Sequence, residues 1–257
     1  FVVYENNDVI PNTDATCAVR EMAEKREHFQ QEEDPTSTPE TISACYQLDL
    51  AIASDRSMYD KYGSSVTNVQ NHNIGVINNV EGDYTGEFNH DIQFNIVTQV
   101  VISGTDPWSN TTVAGDLLDE FRDWGNSGGF GMQFDLGEMW TNRNFDGSTI
   151  GVAWVGAVCT SFRYHLLQDF TSSSQQLRCM TSHEIGHNFS CDHDPESGSG
   201  CPPNFIMCPF VSTTSTWSTT SRNDVNSYLV GLINTGCLSA CISYLVGLIN
   251  TGCLSAC

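Results

Sequence analysis

The sequence predicts an α/β domain, a sheet layered with helices. Two observations predict it. Apolar residues along the chain switch repeatedly between alternating spacing and helical spacing, so strands and helices alternate rather than segregate. The 257 residues, 39% of them hydrophobic, are enough for one sizeable domain with a core and a short extra segment.

The first 43 residues stand apart. Arg20 to Asp34 reads REMAEKREHFQQEED and is followed by PTSTPET, the pattern of a solvated helix and a linker. From Cys45 the pattern changes. Tyr46, Leu48, Leu50 and Ile52 alternate with Gln47, Asp49, Ala51 and Ala53, which predicts a strand. Val66, Val69, Val76, Ile77 and Val80 make the apolar stripe of a helix. Residues 94–102 read as a buried strand. Leu117, Leu118, Phe121 and Trp124 have helical spacing. Residues 150–158 predict another apolar strand and residues 175–189 another helix. Val225, Tyr228, Leu229 and Leu232 form a last amphipathic helix, with Ser221 and Asp224 as its expected cap. The segment SYLVGLINTGCLSAC at Ser227–Cys241 recurs identically at Ser243–Cys257. A solenoid would need more copies and would show divergence. Residues 242–257 therefore read as a duplication without a function of its own, and Cys253 and Cys257 need no native partners.

Charge and cysteine content narrow the function. Asp and Glu number 31 against 10 Lys and Arg, a net charge of -21. That excess repels phosphate backbones and anionic lipid, which argues against nucleic acid and against membrane contact by this segment. The eleven cysteines include no CxxC pair and read as disulfides. They imply a secreted or extracellular setting, or the ectodomain of a membrane-anchored precursor. Asn110-Thr111-Thr112 is a glycosylation acceptor consistent with that setting. No apolar run is long enough to span a membrane, and Phe1 opens no signal-peptide pattern, so the chain reads as part of a longer precursor. A monomer is expected.

The chemistry sits in His183-Glu184-Ile185-Gly186-His187 followed by His193. Positions i and i+4 of a helix share a face, so His183 and His187 can meet one ion. Zinc favours imidazole nitrogen, and three histidines leave a fourth, catalytic position open. An HExxH segment arises by chance in roughly one chain in a hundred, and the added histidine makes it roughly one in several thousand. Glu184 is placed to take a proton from water activated by the ion and to pass one to a leaving amine. Met207 lies downstream in Asn204-Phe205-Ile206-Met207-Cys208-Pro209, where the methionine turn of such sites falls. His28, His72, His90 and His165 lack ligand spacing and read as surface or packing residues. Cys201 with Cys208 and Cys179 with Cys191 are possible local pairs, although spacing does not decide connectivity.

HEIGHNFSCDHD closely resembles the HExGHNFGxxHD signature of the ADAM-type metalloproteases, the adamalysins or reprolysins of the metzincin clan. CYQLDLAIASDRSMYDKYG, FNIVTQVVIS, LLDEFRDWGN, TNRNFDGSTIGVAWVGAVC and NFIMCPF extend the resemblance over about residues 45–241, nearest to the branch of shedding enzymes. The resemblance implies a catalytic domain over residues 44–241 and a prodomain remnant and linker over residues 1–43. It implies a zinc-dependent metalloendopeptidase acting on polypeptide substrates. The implied fold is the three-layer metzincin fold: a twisted mixed sheet of five strands, one antiparallel at the cleft edge, with an irregular C-terminal subdomain. Substrate would add as a strand along Gly151, Val152, Ala153 and Trp154, with Pro209, Phe210 and Val211 bordering the pocket after the cut. Cys17 would be a cysteine switch filling the open zinc position. Cys159 would pair with Cys237, and the family pattern supplies no partner for Cys45 or Cys201.

Ser190 departs from the signature, which has glycine there. The turn that returns the third histidine often needs positive φ, which costs a non-glycine residue roughly 1–2 kcal/mol. Strain there opens an alternative reading, a weak or dead metzincin module that binds proteins. Intact Glu184 and the three histidines argue for the enzyme.

Overall fold

A computed structural model describes residues 16–20, 44–194, 201 and 205–241. In chain order these form β1 (Thr16–Arg20), β2 (Cys45–Ser54), α1 (Arg56–Lys61), α2 (Val66–Tyr84), β3 (Asp91–Val101) and α3 (Ala114–Asn126). There follow β4 (Leu136–Thr141), β5 (Thr149–Trp154), β6 (Tyr164–Gln168), α4 (Ser174–Asn188), α5 (Thr219–Asn234) and β7 (Ser239–Ala240). The strand order is β1-β5-β6-β4-β2-β3, with β7 against the start of β2. Five of these strands make the mixed sheet that the resemblance implied. β6, β4, β2 and β3 run parallel, and β5 lies antiparallel to β6.

The alternation in β2 sorts residues between two cores. Leu48, Leu50 and Ile52 face the core shared with α2, α4 and α5. Ala51 and Ala53 face the core shared with Leu117, Leu118 and Phe121 of α3. The sheet is therefore the middle of three layers, with the ligand-bearing helix α4 on the α2 side. Among the described residues no helix is long and apolar enough to cross a membrane.

Several expectations change. The strand read as buried, β3, is mostly half-exposed, because it is the sheet's outer edge. The cap of α5 is Ser218, whose side chain accepts from the Ser221 backbone N–H, and not Ser221 itself. β4 (LGEMWT) and β6 (YHLLQ) did not announce themselves, because Glu138 and His165 interrupt their apolar runs. Cys45 does have a partner: Cys45–Cys241 is a disulfide, as are Cys159–Cys237 and Cys201–Cys208. Cys179 and Cys191 are free and buried rather than paired. The second copy at residues 242–257, and residues 1–43 apart from β1, lie outside the described residues.

β1 was not anticipated as a strand. It adds in parallel to the free edge of β5, with Cys17 opposite Gly151 and Arg20 opposite Trp154. The remote residues of the chain thus occupy the edge along which substrate was expected to lie.

Candidate metal centre and cleft

α4 begins where the Ser173 side chain accepts from the Gln176 N–H and ends at Phe189. Ser190 then takes φ 77°, the left-handed conformation expected for the missing glycine. The Ser190 N–H donates to His187 O at 2.8 Å and the Cys191 N–H to Gly186 O at 3.0 Å, closing the helix and turning the chain back. With serine there, His193 Nε2 still reaches to 3.2 Å from His183 Nε2.

His183, His187 and His193 converge, their ligand atoms within 4.8 Å of one another. His183 Nδ1 donates to Ile206 O at 2.6 Å and His187 Nδ1 to Cys191 O at 2.7 Å. A carbonyl can only accept, so both neutral rings carry their hydrogen on Nδ1 and present Nε2 lone pairs. Those two Nε2 atoms face each other at 3.0 Å. Facing lone pairs fit a cation between them. Tetrahedral zinc with bonds near 2.05 Å would set its nitrogens about 3.3 Å apart. The donor set therefore fits zinc, and the carbonyl partners fix ligand orientation in the manner of outer-shell acceptors.

Electrostatics favour the neutral ligands. Burial, and then the charges of His187 and His193, hold the His183 pKa well below its ordinary value against the opposing Ile206 carbonyl. Burial and then His193 push His187 down to about 3. The unfolded chain protonates these rings below about pH 6.5, where the folded chain refuses the protons. Stability of the metal-free protein should accordingly fall as the pH is lowered from 7 to 5. Asp55, Asp83 and Asp135, raised mainly by burial, act in the opposite sense, lower in the carboxylate range. Urea midpoints of chelated protein at the two pH values measure the change; equal midpoints would contradict it.

Glu184 is fully buried on α4 beneath β5. A Cβ on Gly151 would lie 2.2 Å from Glu184 Oε1, so the missing side chain is what lets strand and carboxylate meet. Met207 is buried under the same helix, and a Cβ on Gly186 would lie 2.5 Å from its sulfur. A small, partly open cavity lies beside His183 and Glu184, walled by Ile150, Met180, Cys208, Pro209 and Val211. Two of the three pocket residues nominated from sequence line it. Phe210 does not, being 38% exposed. Ile150, Met180 and Cys208 were missed. Met180 stands three residues before His183 on the same helix, a spacing that would have found it. Gly151, Val152, Ala153 and Trp154 are buried in β5. Only the backbone of Cys17 is described; the switch role of its thiol lies outside the described residues.

The chain is similar to known proteins. A family model described as metallo-peptidase family M12 matches residues 45–226. The chain is 26% identical over 187 residues to a zinc metalloproteinase-disintegrin-like protein of Cerberus rynchops, covering 71% of this chain and 30% of that protein. It is 26% identical over 173 residues to the snake venom metalloproteinase atroxlysin-1 of Bothrops atrox, covering 64% of this chain and 81% of that protein. The chain thus spans under a third of the first relative and most of the second. Its fold is similar to that of a chain in a structure titled as a chaperone-substrate complex, with TM-score 0.53 and 17% identity, over 71% of this chain and 30% of that one.

Proposed function

Because this chain belongs to metallo-peptidase family M12, we propose that it is a secreted or extracellular zinc endopeptidase held latent by its own N-terminal segment. The observation that carries the reading is the convergence of three Nε2 atoms beside a buried glutamate, under a sheet edge and next to an apolar cavity. His183, His187 and His193 are the ligands. A zinc ion held by them would supply a Lewis acid for the peptide carbonyl and for water. Glu184 takes the proton from the attacking water and returns one to the leaving amine nitrogen. β5 orients an extended polypeptide by backbone hydrogen bonds, and the cavity receives an aliphatic side chain on the far side of the cut. The disulfides suit an oxidising compartment.

Latency follows from placement. Residues 1–43 act as a prosegment whose β1 covers the substrate edge, and its pairing sets Cys17 opposite Gly151, the residue that touches Glu184. The Cys17 thiolate supplies the blocking ligand.

The test is cleavage of a quenched peptide library by the purified chain, with bound zinc quantified. About one zinc per chain and chelator-sensitive cleavage are expected. Removing residues 1–43 should raise the rate about tenfold or more, and Cys17→Ser in the full chain should raise it by a smaller factor, since β1 still covers the edge. Zinc without cleavage in either form would leave a protein-binding module instead. An unchanged rate in Cys17→Ser would remove the thiolate from the account.

A further inference from the structure

Glu138 and His165 stand opposite each other in the pairing of β4 with β6, both fully buried. His165 Nε2 is 3.1 Å from Glu138 Oε2, and Trp140 Nε1 donates to Glu138 Oε1 at 2.6 Å. On its other side, His165 Nδ1 is 2.8 Å from Asn188 Oδ1. Asn188 Nδ2 donates to Trp154 O at 2.9 Å and to Tyr164 O at 3.3 Å.

These contacts fix the protons. With its nitrogen facing two carbonyls, the Asn188 amide must turn its oxygen to His165, so Nδ1 carries a hydrogen. Nε2 then faces the carboxyl group of Glu138.

Asn188 directly follows His187 at the end of α4. The last carbonyls of a helix have no partner within it. Here the Gly156 N–H donates to His187 O at 2.9 Å, and the Ala157 and Val158 N–H groups donate to Asn188 O at 2.9 and 3.3 Å. The exit of β5 therefore caps the ligand helix, and the amide of Asn188 grips the last carbonyl of β5. A buried polar pair adds little to stability compared with well-packed apolar residues, so its use is better sought in geometry.

We propose that the His165–Glu138 pair is a positioning device. It holds Asn188 so that β5 and the end of α4 keep one register, and with it the distance from the substrate edge to Glu184 and the histidines. This rests on the peptidase reading for its kinetic consequence, but not for its structural one.

The experiment compares His165→Leu with Glu138→Gln in the full chain. In Glu138→Gln the new amide can donate to Nε2 while its oxygen keeps Trp140, so every polar atom is satisfied. Amide hydrogen exchange at residues 156–158 should rise about tenfold in His165→Leu, with residues 48–52 of β2 unchanged. It should stay within about threefold of native in Glu138→Gln. In the trimmed enzyme, kcat/KM should fall more than about tenfold for a peptide long enough to pair along β5, and less for one confined to the residues flanking the cut. If His165→Leu does not fold, His165→Gln is read in the same way. Unchanged exchange at 156–158, an equal rise across the sheet, or Glu138→Gln behaving like His165→Leu would overturn the proposal. Absence of cleavage by both the full and the trimmed chain would overturn the peptidase reading alone, and the exchange result would still decide the seam.

Discussion

Glu184→Gln is expected to lower kcat/KM about 10²–10⁴-fold while zinc content and fold stay native. The substitution keeps the size of the side chain, so the close approach to Gly151 is preserved. The orientation of His183 and His187 is set by Ile206 O and Cys191 O and does not depend on the carboxylate. What the amide loses is the ability to accept a proton. Peptide cleavage, zinc per chain and the thermal midpoint, measured together, separate the cases. Native turnover with native zinc would refute Glu184 as the base. Loss of zinc would place its role at the ligands instead.

The second large effect concerns stability. Replacing Cys45 and Cys241 with serine should cost roughly 2–5 kcal/mol and lower the thermal midpoint by roughly 5–15 °C. This bridge joins residues 196 apart, whereas Cys201–Cys208 joins residues 7 apart. The loop-entropy relation gives roughly 5 kcal/mol for the former and roughly 2 for the latter. β7 pairs with Tyr46 and Gln47, and the Cys241 N–H donates to Cys45 O at 2.9 Å, so the bridge reinforces a seam the backbone already forms. A thermal scan of both double-serine variants tests the order. A larger loss from the short bridge would contradict it.

The readable parts of the sequence were those whose signal is local. Alternation in β2, the stripe of α2 and the spacing of α3 and α4 survive because each is set within a few residues. His183 and His187 are legible for the same reason, and His193 because the turn at Ser190 is short. Pairings across the chain were not legible. TCAVR carries no strand signal beyond its length, and only the unpaired edge of β5 makes it one. Cys45 and Cys241 meet through a sheet contact no spacing reveals. His165, read as a surface or packing residue, hides the same way, since its partner Glu138 lies on another strand. The two together disguise β4 and β6, because polar residues that satisfy one another in the interior look like solvent-facing ones in a linear reading.

The meeting of β7 with β2 also gives the domain the topology of a ring. Cys45 and Cys241, at the start of β2 and just past β7, have Cα atoms 5.3 Å apart and are covalently joined. A break in an exposed loop between them, such as the stretch after Ile102, opens the ring without releasing a fragment. A nicked ring keeps its histidines, its glutamate and its sheet in one body. The same geometry allows a circularly permuted chain, cut in that loop and joined across residues 241 and 45, to reach the same fold.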